Sequence, residues 1–273
     1  MCRSARFALF LIAVSFATAA IATETVAGSA EVQADAPATG SFTLELSLAQ
    51  ILGEAQAAGL KAIQSPDQPV SWEVFVPEAY NPARPPGLLV YISPIQSGRV
   101  PQDWERILEA RNLIWVSANK SGNQVHVQRR ALYAVIAPTL IQADYQIDPE
   151  RIYLTGMSGG GKMASMVAVD HAHIFKGAVY NCGVEFWDAK PRRLEQVKAN
   201  RYVFVTGEYD QALRPTRRVH GRYRKAGVLN SKLMVIDGMG HENPPWREMD
   251  EALAYLDGDT PGPDAPDPGA AGQ

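Results

Sequence analysis

The stretch YLTGMSGGGKMAS, residues 153–165, decides the fold because it fits two motifs of unrelated chemistry. From Gly156 onward it has the G-x-x-x-x-G-K spacing of a phosphate-binding P-loop. Centred on Ser158 it reads G-x-S-x-G, the sharp turn that presents a nucleophilic serine. Both motifs lie between a strand and a helix, so the surrounding sequence has to separate them.

The P-loop interpretation fails at the residue after Lys162. That motif needs Ser or Thr there to ligate Mg²⁺, and this sequence has Met163. Asp237, which ends an apolar run, resembles the acid that helps to hold Mg²⁺ in such sites. The N-terminal segment, however, predicts export to a compartment that normally lacks ATP. Gly161 and Lys162 are better explained as a close packing position followed by a solvated lysine.

The nucleophile interpretation predicts partners in the order Ser, acid, His, each just after a later strand. The apolar run Tyr202–Thr206 is followed by GEYD, which contains Asp210, and Leu233–Ile236 is followed by DGMGHE, which contains His241. Because the carboxyl ends of parallel strands meet at one edge of a sheet, both side chains are expected beside Ser158.

The three residue types match the needs of nucleophilic catalysis. A serine hydroxyl is a weak nucleophile until a base takes its proton, and the neutral imidazole of His241 is suited to that role. The carboxylate of Asp210 would orient the imidazole and stabilise the imidazolium. The backbone N–H of Gly159, at the start of the next helix, is placed to stabilise the developing oxyanion.

Short apolar runs alternate with helical patterns along the chain, which predicts an α/β fold with a mostly parallel sheet covered by helices on both faces. The runs are Trp72–Val76, Leu88–Ile92, Leu113–Ser117, Ile152–Thr155, Gly177–Tyr180, Tyr202–Thr206 and Leu233–Ile236. The helical patterns include Trp104–Ala110, Val125–Ala143, Gly160–Val169, Leu194–Ala199, Thr216–Lys225 and Trp246–Leu256.

The motifs LTGMSGGGKMAS, VTGEYD and DGMGHENP resemble the α/β-hydrolase fold, and in particular secreted bacterial esterases related to polyhydroxybutyrate depolymerases and carbohydrate esterases. The resemblance covers about residues 70–257. Many such esterases carry His-Gly after the strand that corresponds to Leu88–Ile92, where it supplies the second oxyanion donor. This chain has YISPIQSG, and Pro94 has no N–H, so Ile95 or Gln96 would have to donate.

Each candidate residue has rivals. Glu208 and Asp237 compete with Asp210 for the acid, and Asp210 is favoured because it follows the turn after its strand. His241 competes with four histidines that lie in or after helical patterns and are expected to be structural, namely His126, His171, His173 and His220. For substrate binding, Asn119 in NKSGN and Trp187 in EFWD are candidates, and Asn181 is a weaker one.

The first residues have the features of a signal peptide. Arg3 and Arg6 precede an apolar segment, and Ala20 to Ala22 form a small-x-small cleavage site. The predicted organisation is a signal peptide at 1–22, a flexible leader at 23–41, an α/β-hydrolase domain at 42–257 and a disordered Pro/Gly-rich tail at 258–273. The apolar segment is shorter than the about 20 residues of a membrane-spanning helix, so no stable membrane insertion is expected after cleavage.

Composition excludes several classes of partner. Without residues 1–22 the chain loses two of its 26 basic residues and none of its 29 acidic ones, so its formal charge is −5. Such a chain has no electrostatic footprint for nucleic acid. Of the two cysteines only Cys182 would remain, which leaves no intrachain disulfide, and no cysteine or histidine cluster predicts a metal.

The sequence therefore predicts a periplasmic or secreted serine esterase that works through an acyl-enzyme on Ser158 and needs no cofactor. Its substrate would be a small-molecule or polymer ester. Two alternatives are a serine peptidase of the same fold and a non-catalytic binding protein that retains the fold.

Overall fold

The computed structural model describes residues 37–186 and 191–259. The predicted signal peptide, most of the predicted leader and tail, and Trp187 lie outside the described residues. The strands are β1 Gly40–Leu46, β2 Val70–Val76, β3 Gly87–Ile92, β4 Leu113–Ala118, β5 Ile152–Met157, β6 Gly177–Asn181, β7 Arg201–Gly207 and β8 Ser231–Ile236. The helices are α1 Leu48–Leu52, α2 Glu54–Gly59, α3 Glu105–Ala110, α4 Val127–Gln142, α5 Gly159–Asp170, α6 Pro191–Ala199, α7 Leu213–Lys225 and α8 Trp246–Asp257.

The eight strands form one sheet in the order β1-β2-β4-β3-β5-β6-β7-β8. The pairs β1–β2 and β2–β4 are antiparallel, and all pairs from β4 to β8 are parallel. The predicted mostly parallel sheet is confirmed, and each of the seven apolar runs lies in one of the strands β2 to β8. Because β5, β7 and β8 run in the same direction, the loops that follow them open at one edge.

The first strand, β1, is absent from the sequence prediction. Its residues GSFTLEL alternate between half-buried and exposed, and it pairs only with β2. Such an edge strand lacks the apolar-rich run by which the other seven strands were predicted. It begins at Gly40, two residues before the predicted start of the domain.

Helices cover both faces of the sheet. On one face Val179, Val203 and Val205 belong to a buried cluster with residues of α3 and α8. The neighbouring residues Tyr180 and Phe204 point to the other face, since successive side chains of a strand alternate, and there they contact Tyr223 of α7. Among the described helices, none combines the length and apolar character needed to cross a membrane.

Candidate active site

Ser158 stands at the sharp turn between β5 and α5. Its backbone has φ 56° and ψ −118°, a left-handed conformation that is costly for a residue with a side chain. Such strain persists only where the surrounding structure fixes it. The next residue but one, Gly160, shows how tightly the turn is packed, since a Cβ there would lie 1.8 Å from the carbonyl oxygen of Ile92. The second glycine of the G-x-S-x-G motif is therefore required by the packing of α5 on the end of β3.

Three side chains from three loops form one hydrogen-bonded chain. His241, in the loop after β8, has Nε2 2.9 Å from Ser158 Oγ and Nδ1 2.7 Å from Asp210 Oδ1. Asp210 follows β7, so the order along the chain and the edge of the sheet are those predicted from the sequence. The structure brings the three predicted triad residues together.

The carboxylate of Asp210 is buried and fully engaged. Only 4% of the residue is exposed. Besides His241, it accepts hydrogen bonds from the Ala212 N–H at 2.8 Å and from Thr206 Oγ1 at 3.0 Å. Burial raises the pKa of Asp210, but hydrogen bonds from Ala212, Cys182, His241 and Thr206 outweigh it and hold the pKa below its usual value. The group facing the imidazole is thus an ionised carboxylate at neutral pH.

The rival acids lie elsewhere. Glu208 is exposed, and its Oε2 accepts a hydrogen bond from the Gly238 N–H at 3.0 Å, which ties the turn after β7 to the turn after β8. Asp237 is also exposed. Neither carboxylate is hydrogen-bonded to His241, whose Nδ1 faces Asp210.

The rival histidines have structural environments. His126 caps α4 by accepting a hydrogen bond from the Gln128 N–H, and His220 of α7 lies 3.3 Å from the Ser231 carbonyl oxygen. Burial, together with the charges of His173 and Arg193, lowers the pKa of His171 to about 4, so this side chain is neutral inside the fold.

Gly159 is the first residue of α5. Its N–H therefore has no acceptor within the helix. Ile95 and Gln96 follow β3 on the same rim. The Ile95 N–H is already donated to Ser93 Oγ at 3.2 Å, whereas the Gln96 N–H has no hydrogen-bond partner within residues 37–186 and 191–259. Gly159 thus follows Ser158 directly at the start of α5, and of the two candidates for the second donor only Gln96 has an N–H without a partner among the described residues.

Comparisons with known proteins agree with this geometry. Residues 133–260 match the prolyl oligopeptidase family. A ferulic acid esterase superposes with a TM-score of 0.58 at 16% identity, covering 80% of this chain and 99% of that one. The S-formylglutathione hydrolase of Staphylococcus aureus gives 0.59 at 12% identity, with 80% and 98% covered. The dipeptidyl peptidase 4 of Porphyromonas gingivalis gives 0.54 at 18% identity, with 76% and 37% covered. None of the curated protein sequences matches.

This chain has the α/β-hydrolase fold. The fold resemblance inferred from LTGMSGGGKMAS, VTGEYD and DGMGHENP is thereby confirmed. The position of Ser158 between β5 and α5, with an acid after β7 and a histidine after β8, is the arrangement of that fold.

One predicted substrate-binding residue has to be corrected. The amide of Asn119 donates to Glu73 Oε1 at 2.8 Å and Ser71 Oγ at 3.1 Å, and it accepts from the Gly98 N–H at 2.8 Å. Its donors and acceptor are therefore committed to joining β2 to the loop after β3. Asn119 is a structural residue, and its place at a strand end did not reveal these partners.

The same loop delivers a different amide to the site. A Cβ on Gly159 would lie 2.2 Å from Oδ1 of Asn123, so the exposed Asn123 side chain covers the residue that follows Ser158. The sequence points to this loop, NKSGN, but the predicted residue is its first asparagine, Asn119. Nothing in the spacing separates the two, because the turn that carries Asn123 back over α5 depends on contacts with the loop after β3, including the Asn123 N–H to Pro94 carbonyl bond of 2.9 Å.

Cys182 lies behind the triad. Its Sγ, with Asp210 and His241, brings three potential metal-ligand atoms within 4.8 Å of one another. Burial, followed by the neighbouring Asp210, raises the pKa of the Cys182 thiol to about 12, and the thiol donates to the Glu242 carbonyl oxygen at 3.2 Å. A metal ligand would have to be the thiolate. The protonated thiol therefore fits a packing role next to Asp210.

A cleft of about 560 Å³ opens beside Ser158 and His241. Its floor is the segment 182–186 after β6, and its far wall is one face of α7. Asn181, the weaker candidate for substrate binding, is not among the described lining residues; it is fully buried, and its amide donates to Thr155 Oγ1 at 3.2 Å. Ser158 thus lines a space large enough for a small-molecule ligand.

Proposed function

We propose that this chain is a serine esterase that hydrolyses carboxylic esters through an acyl-enzyme on Ser158. The observation that carries the proposal is the continuous hydrogen-bonded chain from Ser158 Oγ through His241 to ionised Asp210, opening on the cleft. The folds of a ferulic acid esterase and of S-formylglutathione hydrolase support it, since they match this chain over nearly their whole length.

The geometry supports the following steps. His241 Nε2 takes the Ser158 proton as Oγ forms a bond to the carbonyl carbon, and the carbonyl oxygen becomes an oxyanion that accepts from the Gly159 N–H. The imidazolium then gives its proton to the departing alcohol as the C–O bond breaks. Water then attacks the acyl carbon as His241 takes its proton, and the imidazolium returns that proton to Ser158 Oγ as the Oγ–C bond breaks and the acid leaves. The carboxylate of Asp210 holds the imidazole tautomer throughout.

A serine peptidase is the second candidate, because residues 133–260 match the prolyl oligopeptidase family and dipeptidyl peptidase 4 has the same fold. The likeness to that peptidase covers 37% of its length, against 99% of the ferulic acid esterase. The esterase is favoured because the structural match extends over nearly the whole ferulic acid esterase.

A labelling and substrate experiment tests the proposal. Phenylmethylsulfonyl fluoride is expected to abolish hydrolysis of p-nitrophenyl acetate and to add mass to the peptide that contains Ser158. Peptidyl p-nitroanilides are expected to react far more slowly, since the leaving amine is harder to expel. Modification of another residue, or faster turnover of the anilides than of the ester, would contradict the esterase proposal.

We also propose that the mature protein begins near Thr23 outside the cytoplasm, supported by the arginines and apolar segment that precede Ala22. N-terminal sequencing of the exported protein is expected to start within a few residues of Thr23. A membrane-bound chain that still starts at Met1 would show that the segment is an anchor.

A further inference from the structure

The helix that forms the far wall of the cleft has an unusual charge. Helix α7, with sequence LRPTRRVHGRYRK, contains six basic residues and no acidic one, although the whole chain has a formal charge of −3. The overall composition therefore gives no hint of this local excess, which is confined to one element. The position of these cations relative to Ser158 decides whether they have a role at the site.

Two of the arginines lie on the face that lines the cleft. Pro215, Arg218, Val219 and Arg222 are spaced three and four residues apart, which places them on one side of the helix, and all four line the same cleft as Ser158. Arg217, next in sequence to Arg218, is exposed and is not part of that lining. The other basic residues of α7, Arg214, Arg224 and Lys225, are not part of the lining either.

Among the described lining residues, no acidic side chain is paired with Arg218. Glu185 is the acidic member of that set, and its carboxylate pairs with Lys162 at 3.2 Å. Arg218 is exposed and makes no ion pair or hydrogen bond with residues 37–186 or 191–259. The guanidinium of Arg222 lies 3.6 Å from the centre of the Phe186 ring, a cation–π contact that fixes its position at the wall.

We propose that the cleft binds esters that carry an anionic group, a carboxylate or a phosphate, and that Arg218, beside Arg222, pairs with that group while the ester carbonyl lies at Ser158. The proposal rests on the esterase function proposed above and names its substrate class. A guanidinium is a planar fork of donors that matches the oxygens of a carboxylate or phosphate, and it is always charged at the pH of the reaction. Neutral esters gain nothing from it.

Matched esters test this substrate class. With the anion on the alcohol, they are 4-acetoxybenzoate, 4-acetoxyphenyl phosphate and the neutral methyl 4-acetoxybenzoate. With the anion on the acyl group, they are the p-nitrophenyl half-ester of adipate and its neutral methyl ester. Each kcat/KM is divided by the rate of hydrolysis in buffer alone. At low salt, at least one anionic ester is expected to exceed its neutral counterpart by about tenfold, the effect of one hydrogen bond to a charged group.

The preference should depend on salt and on Arg218. Raising the ionic strength from 20 mM to 0.5 M should reduce it, since exposed charges are screened at high salt. Arg218→Gln is expected to lower kcat/KM for the preferred anionic ester several-fold more than for the neutral one, and Arg218→Lys should restore part of the difference. The matched control, Arg217→Gln, should leave the ratio unchanged, because its side chain does not line the cleft.

The outcomes separate this inference from the function on which it rests. If Ser158-dependent hydrolysis of the neutral esters is present but no anionic ester is preferred at low salt, the anionic substrate class is wrong and the esterase stands. A preference that persists in Arg218→Gln also overturns the role given to Arg218. If none of the esters is hydrolysed and Ser158 is not labelled, the esterase function fails, and the substrate class fails with it.

Discussion

Ser158→Ala is expected to lower kcat for p-nitrophenyl acetate by about 10⁶-fold, the loss seen when the serine is removed from a serine-protease triad. The reason is that Ser158 Oγ is the atom that the His241 imidazole faces at 2.9 Å, and alanine leaves nothing for that base to activate. The remaining rate should come from binding and from the N–H groups at the start of α5, which alanine does not remove.

The variant should remain folded, which keeps the kinetic result interpretable. Ser158 makes a single side-chain hydrogen bond among those described, and alanine can adopt the same φ of 56° at similar cost. The free energy of unfolding is therefore expected to stay within about 1 kcal/mol of the wild-type value. Ser97→Ala is a matched control, because Ser97 lies in the loop after β3 and its Oγ accepts only from the Arg99 N–H at 3.3 Å.

The kinetic measurement needs a stoichiometric check. The pre-steady-state burst of p-nitrophenol should approach one per wild-type chain if the acyl-enzyme accumulates, and it should be absent in Ser158→Ala. Residual turnover above about 1% of wild type, with no burst, would identify another nucleophile. The thiol of Cys182 is a poor substitute, since it is buried and its pKa is raised to about 12.

Features that depend on local sequence were predictable. Seven apolar-rich runs identified β2 to β8, because strands covered on both faces need apolar residues at most positions. The alternation of strands with helices predicted a parallel sheet, whose strands all end at one edge. That edge is where Ser158, Asp210 and His241 were expected to lie together. The edge strand β1 was not predicted because polar and apolar residues alternate along it, so it contains no apolar-rich run.

Features that depend on how loops meet were not predictable. Asn119 and Asn123 lie in the same loop, NKSGN. The side chain of Asn119 is hydrogen-bonded to β2, whereas that of Asn123 contacts Gly159. Helix α7 is visibly basic in the sequence, but which of its arginines face Ser158 depends on how the helix is rotated against the sheet. Tyr180 and Phe204 set that rotation through their contacts with Tyr223, and these contacts join elements far apart in the chain.

Asp210→Asn is expected to lower kcat by about 10⁴-fold, the effect of the equivalent change in serine proteases. That factor corresponds to about 5 kcal/mol of transition-state stabilisation at 1.36 kcal/mol per decade. The asparagine keeps the shape but loses the charge that stabilises the imidazolium, and its NH₂ group can hold the wrong tautomer of His241. The change also weakens the bonds from Ala212 and Thr206, so a lower melting temperature is expected as well.

Two matched variants separate the role of Asp210 from a general loss of negative charge at this edge of the sheet. Glu208→Gln keeps an oxygen that can accept from the Gly238 N–H, and Asp237→Asn alters an exposed side chain, so each should retain kcat/KM within about threefold of wild type. All three variants are compared on p-nitrophenyl acetate below their melting temperatures, so that unfolding does not contribute. The opposite result would be an inactive Glu208→Gln variant and an active Asp210→Asn variant. It would mean that the 2.7 Å contact between Asp210 Oδ1 and His241 Nδ1 does not orient the base during catalysis. The acid would then be two residues earlier, and the turn after β7 would have to rearrange when substrate binds.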